Sequence, residues 1–192
     1  MSWFTRVADL FTGGTSEARA EARAYQERVT AFRQQVTTGL GGDRSALEAL
    51  LRAPESLQIR DEDAEIEIER VHAALDLLAL RERVDQDGLP VLAHQHKVLA
   101  DERCHFIASA FLVDDMNRTG RLMLTSQRLV FVTSPVMSVP WAGVRALETR
   151  ERDLLVLRGA PGQGDGFRCN SFSDARCAAW IGERLRTTNG RR

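Results

Sequence analysis

The spacing of apolar residues in this chain switches near Asp87-Gly88-Leu89-Pro90 from the three-and-four rhythm of a helix to the alternation of a strand. No single-layer fold satisfies both halves, so that switch constrains the architecture more than any other feature. Before it, Trp3, Phe4, Val7, Leu10 and Phe11 fall on one stripe that ends at Gly13-Gly14. Ser16 is placed to cap a segment rich in Ala, Glu, Arg and Gln, whose stripe is Tyr25, Val29, Phe32 and Val36; Gly39, Gly41 and Gly42 break it. Ser45 then stands as the cap of a short helix ending before Pro54. Further on, Ala64, Ile68, Val71, Leu75 and Leu78 repeat at four and three, with carboxylates in the first turns and Arg81 and Arg83 in the last, as the helix dipole favours. Ile66 and Ile68 also admit a strand at the start of this segment. The spacing predicts a helical region over residues 1–87, with helices at about 3–11, 16–38, 45–52 and 62–85.

After the switch, seven short runs alternate or carry β-branched and aromatic residues: 104–113, 121–125, 128–133, 137–140, 144–150, 153–159 and 167–172. Residues 114–119 form a polar loop, Ser126-Gln127 fits a hairpin turn, and Gly162, Gly164 and Gly166 fit a Gly-rich turn. Ser173 is placed to cap a final helix over about 174–186, with Cys177, Ile181 and Leu185 on its inner stripe. The expected fold class is α+β: an N-terminal helical region, then residues 88–192 as a seven-stranded antiparallel barrel or sandwich capped by a C-terminal helix.

The run Gly120–Phe131, GRLMLTSQRLVF, followed by SVPWAGVRALE and DLLVL, resembles the GRAM and bacterial pleckstrin-homology-like (PH-like) domains over roughly residues 90–187. Those families share a Gly-x-Leu-x-Leu-Thr-x-x-Arg-Leu-hydrophobic-Phe hairpin, a Pro-containing strand with a hydrophobic-acidic pair after it, and a closing helix. Asp101-Glu102 stands where they often carry Gly-Glu, and Asp101 departs from that pattern. Residues 1–87 carry no such resemblance. The resemblance implies a binding module whose ligand, a phosphoinositide, an anionic membrane or a protein segment, is held on loops at the open end of the barrel. It makes exposed loop positions the candidate contacts: Asp114, Asp115, Asn117, Arg118, Gln163 and Asp165.

Charge then sorts these ligands. The net charge of −1 argues against a nucleic-acid binder. It hides a split, with 11 basic residues against 17 carboxylates over 1–87 and 15 against 10 over 88–192. Lipid-binding members of the resembled families usually place several Lys or Arg in the first loop. Here two carboxylates oppose one guanidinium over 114–118, which repels a phosphate headgroup. Arg121, Arg128, Arg145, Arg150 and Arg152 supply a basic patch only if they share a face. A protein partner is therefore favoured over anionic lipid. The stripe Trp3, Phe4, Val7, Leu10 and Phe11 suits either a bilayer interface or a protein groove. Its opposite face, Arg6 and Asp9, gives little pull toward anionic lipid, whereas burial in protein recovers about 1.5–3 kcal/mol per side chain.

The remaining chemistry reads as structural. His94, His96, Cys104 and His105 lack the tight paired spacing of a structural zinc site, and Cys104 and His105 point to opposite faces of a strand. No base is marked for Cys104 as a nucleophile, and Cys169 and Cys177 read as small core residues. The acidic run Asp61, Glu62, Asp63, Glu65, Glu67 and Glu69 reads as a solvated helix start. The expectation is thus no catalytic residue, metal or cofactor. No apolar run reaches the roughly 18–20 residues of a spanning helix, and no signal-peptide pattern opens the chain, so a cytoplasmic protein is expected, with peripheral membrane contact as a second reading. The function expected is a non-enzymatic adaptor. The alternative is a structural protein that forms homo-oligomers through its helical region, with the β domain as scaffold.

Overall fold

The computed structural model describes residues 16–94, 96–99, 101–159 and 162–189. The predicted helix 3–11, with Trp3, Phe4, Val7, Leu10 and Phe11, lies outside the described residues. The chain divides into two compact units between Val71 and His72.

The first unit holds α1 (Ser16–Gly39), α2 (Arg44–Ser56) and the start of α3 (Asp61–Asp87). The expected stripe of α1 is buried at Val29, Phe32 and Val36, and α1 packs on α2. Tyr25 of the same stripe ties α1 to the start of α3. Its hydroxyl donates to Asp63 Oδ2 at 2.6 Å and accepts the Arg60 backbone N–H at 3.2 Å. The Arg60 guanidinium reaches Asp63 at 2.7 Å and lies over the Tyr25 ring. The Tyr25 hydroxyl first, and Arg60 second, hold the Asp63 carboxyl below its ordinary value.

Three boundaries differ from the sequence expectation. Asp43, not Ser45, caps α2, its Oδ1 accepting the Ala46 N–H at 2.8 Å; Ser45 already lies inside the helix. Pro54 does not end α2 but sits buried within its last turn. A proline there gives up the bond back to residue 50 and crowds that residue's carbonyl, while its own carbonyl still accepts from Ile59 N–H at 2.9 Å. Together with Gln58 N–H on Glu55 O (3.1 Å), that bond closes α2 in a Schellman arrangement. It forces Gln58 to φ +54°, a left-handed position that glycine usually fills. Finally, α3 begins at Asp61 with Ile66 58% exposed, so no strand forms there. It runs on to Asp87, one turn beyond Arg81 and Arg83. Gly88 closes it at φ +79° with its N–H on Val84 O (2.9 Å).

The second unit holds residues 72–87 of α3, seven strands and α4 (Phe172–Asn189). The strands are β1 (Cys104–Leu112), β2 (Asp115–Thr125), β3 (Arg128–Val132), β4 (Met137–Pro140), β5 (Val144–Arg150), β6 (Asp153–Arg158) and β7 (Gly164–Cys169). All pairings are antiparallel, in the order β4-β3-β2-β1-β7-β6-β5. β1 is the pivot: its body pairs with β2, and its last residues, Ala110–Leu112, pair with β7. This sheet closed by a C-terminal helix is the α+β arrangement that the PH-like resemblance implied.

Alternation fixes which side chains enter the core. Leu122 and Leu124 of β2 and Leu129 and Phe131 of β3 face inward, with Phe131 meeting Phe167 of β7 edge-on at 5.2 Å between ring centroids. Met123 and Val130 point the other way, into a small cluster with Leu99 and Cys104. From α4, Ala175, Ala178, Ile181 and Leu185 complete the main core. The buried face of α4 thus centres on Ala178, and Cys177 is only half-buried. The cap of α4 is Ser171, whose hydroxyl accepts the Asp174 N–H at 3.0 Å. Ser173 instead donates to Asp76 of α3 at 2.7 Å. Edge strand β5 is covered by α4, where Glu183 Oε1 accepts the Leu147 N–H at 2.7 Å.

Two strands start earlier than the sequence suggests. β2 absorbs most of the polar segment 114–119, leaving only Val113 and Asp114 between paired residues Leu112 and Asp115. Gly164 and Gly166 lie in β7 rather than in a turn, because strand pairing there leaves no room for a side chain: a Cβ on Gly164 would stand 2.6 Å from Val156 O. Gly120, the first residue of the hairpin motif, is more constrained still, since a Cβ would fall 2.2 Å from Val132 O.

Two substitutions check these backbone assignments. Gly120→Ala should cost about 1–3 kcal/mol of unfolding free energy in urea titration, because the β2–β3 pair must open to admit the methyl. Gln58→Gly should add about 0.5–1 kcal/mol by relieving the left-handed position.

Candidate functional site

The candidate contacts come together at one end of the β domain. The β1–β2 turn at Val113-Asp114 lies beside β7, with Val113 N–H donating to Gly166 O at 2.8 Å. β7 begins at the loop after β6, where Gln163 O accepts the Arg158 N–H at 2.9 Å. The loop after β3 joins from the other side, Arg118 Nη2 donating to Pro135 O at 3.2 Å. Asp114, Asp115, Asn117 and Arg118 on the first hairpin therefore share an end with Gln163 and Asp165 on the last. The tight β1–β2 turn and the pairing of β1 with β7 make this end.

Its charges are committed only in part. Asp165 is held by Arg158 at 2.7 Å, and Arg118 is half-buried against Pro135. Asp115 Oδ1 accepts the Asn117 N–H at 3.3 Å, folding that carboxylate onto its own strand. Asp114 and Asp115 stay exposed, as do Asn117 and Gln163. The arginines that a shared basic face requires are dispersed. Arg121 lies on β2, Arg145 and Arg150 lie on β5, with three strands between them in the sheet, Arg152 stacks over Phe172, and Arg128 is engaged in the cluster described next.

The residues that carry the family resemblance lie at the other end of β2 and have a structural task. Glu102 is 9% exposed, and its carboxylate meets Arg128 Nη2 at 2.7 Å and Nε at 2.9 Å. Thr125 Oγ1 donates to the second Glu102 oxygen and accepts the Gln127 and Arg128 N–H groups at 3.2 and 3.0 Å. The buried Trp141 indole donates to Thr125 O at 2.9 Å, and Arg128 Nη2 reaches Val98 O at 3.1 Å. Both oxygens of Glu102 are thereby satisfied, which a buried carboxylate requires. The Thr-x-x-Arg of the hairpin and the Glu before β1 are one clamp. Their pairing across 23 and 26 residues leaves no local mark in the sequence.

The histidines serve the same framework. His94 Nε2 lies 3.1 Å from Glu102 O and His105 Nδ1 lies 2.7 Å from Pro90 O, on separate carbonyls, while the Nδ1 atoms of His94 and His96 are buried without a hydrogen-bond partner among the described residues. Among the described residues, no group of three His, Cys, Asp or Glu side chains converges on a common point. Burial raises all three thiols above their usual range, Cys169 to about 12, and Cys104 Sγ donates to Phe106 O. Protonated, buried thiols are poor nucleophiles.

No protein-family model matches this sequence, and no curated protein matches it. Among solved structures, it is similar to the Vps36 N-terminal PH domain, at 18% identity and a TM-score of 0.40, over 52% of this chain and 87% of that one. It is also similar to human RhoA in complex with the DH/PH fragment of PDZRHOGEF (15% identity, TM-score 0.39, 85% of this chain, 53% of that one). A third is the linker-DH/PH region of p115-RhoGEF (12%, 0.36, 81% and 55%). This chain spans little more than half the length of the last two. At such scores these likenesses carry nothing about function, and the strand order with its closing helix describes the fold.

The clamp makes a sharp forecast. Arg128→Met strands the Glu102 carboxylate and should lower stability by about 2–4 kcal/mol, whereas the double variant Glu102→Leu/Arg128→Met should recover most of that loss. Chemical denaturation of the two variants measures the difference.

Proposed function

We propose that this chain is a non-enzymatic binding module of the GRAM or PH-like kind, with a β domain over residues 88–192 that follows a helical region over 1–87. Its β domain takes a segment of a partner protein on the loop end formed by Asp114, Asp115, Asn117, Arg118, Gln163 and Asp165. The observation that carries this reading is electrostatic. At that end the exposed carboxylates are Asp114 and Asp115, while Arg118 and Arg158 already serve Pro135 O and Asp165. Such a surface offers acceptors to the amides and cations of a peptide and repels a phosphate headgroup. The raised thiols of Cys104 and Cys169 support a reading without a cysteine nucleophile. No described helix is long and apolar enough to cross a membrane, which fits a cytoplasmic module.

Photo-crosslinking from a benzophenone side chain at Asn117 or Gln163 of the full chain, in its own cells, should give a discrete protein adduct that disappears in Asp114→Arg/Asp115→Arg. In parallel, vesicles containing phosphatidylserine or phosphoinositide should not float the protein. Saturable flotation that is lost in Arg118→Ala would establish a lipid site instead.

A further inference from the structure

We infer that the cleft between α2 and α3 is a second docking site, one that takes an amphipathic helix with basic flanks from a partner protein. The site belongs to the helical unit and does not depend on the reading of the loop end.

The cleft has a volume of about 680 Å³. Each wall is a helical stripe: residues 51, 54 and 55 run down the end of α2, with residue 58 in the turn after it, and 61, 64, 65 and 68 run up α3. Leu51, Ile59 and Ile68 give it an apolar floor, and Glu55, Asp61, Glu62 and Glu65 form the rim. The walls meet at the turn fixed by the Schellman closure and by the Tyr25–Arg60–Asp63 contacts, so the trough exists before anything enters it. A groove between two helices is the shape that receives the ridge of a third.

Charge selects the occupant. From Glu55 to Glu69 there are seven carboxylates and one arginine, Arg60. That guanidinium is divided between Glu62 at 3.2 Å and Asp63 at 2.7 Å. Glu55, Asp61 and Glu65 have no ion-pair partner among the described residues. An apolar ridge flanked by Lys or Arg would bury its apolar face on the floor and place cations against the rim. The same rim opposes an anionic bilayer. It also opposes this acidic region of a second copy, and the nearly neutral stripe Trp3–Phe11 offers it no complement.

The test uses the full chain and a fluorescein-labelled 18-residue helical peptide of Leu and Lys, with a Leu/Glu peptide of the same pattern as control. Fluorescence anisotropy should show the basic peptide saturating at one per chain and the acidic one not binding. Amide chemical shifts should move within residues 51–68. Glu55→Gln/Glu65→Gln, which preserves size and fold, should weaken binding about tenfold or more. Ile68→Ser should weaken it comparably, with circular dichroism confirming helix content. Unchanged affinity in the Gln variant, shifts centred outside 51–68, or equal binding of the acidic peptide would overturn the inference.

Discussion

A carboxylate cannot be left alone in a protein interior, and in this chain Glu102 obliges three other segments to come to it. Arg128 brings the start of β3, Thr125 brings the end of β2, and through the Thr125 carbonyl Trp141 brings the connection after β4. Ser126 is held from both sides, its N–H on Arg103 O and its carbonyl accepting from Asn189 at the end of α4. The net energy of such a cluster is modest compared with an apolar equivalent, so its value lies in specificity. A one-residue slip of β2 against β3 would separate Thr125 and Arg128 from Glu102 and turn Leu122 and Leu124 away from the core.

Once register is fixed at that end, the other end of the same strands is fixed too. β1 and β2 emerge in a two-residue turn, β7 enters beside it, and the Arg118 contact draws in the loop after β3. The two ends differ physically: polar groups that must be satisfied hold the frame at one, and at the other polar groups stay exposed, where the proposed partner would meet them. The helical unit is arranged differently. There Tyr25, Arg60 and Asp63 brace a turn whose left-handed Gln58 carries strain, and the braced helices leave apolar surface uncovered between acidic rims.

Much of the fold was legible because its signals are local. The stripe Val29, Phe32, Val36, the alternation in RLMLT and RLVFV, and the turn at Ser126-Gln127 each depend on neighbours within a few residues. Errors arose where a distant partner decided. Ser173 is a sound cap by residue type, yet its hydroxyl serves Asp76 of α3, and Ser171 takes the role. Gly164 and Gly166 look like turn residues, yet they are glycine because Val156 and Val113 come so close. Pro54 looks like a stop, but it lies buried in the last turn, and its carbonyl takes part in closing the helix. The candidate contacts were visible as polar residues beside strand patterns, but Asp115, Asn117 and Arg118 lie within β2 and Asp165 within β7; that they share an end followed only from the pairing of β1 with β7. The acidic run after Arg60 was legible as a helix start, but its place on a cleft needed the facing stripe of α2.

The most direct test of this account is amide hydrogen–deuterium exchange of Glu102→Gln against the unaltered protein. If the buried carboxylate governs the register of the sheet, exchange should quicken throughout β1, β2 and β3, including the amides near Val113 and Arg118 at the far end. A change confined to residues 98–103 and the Ser126-Gln127 turn would contradict it, showing that the core alone sets the strands and that the clamp merely decorates one corner.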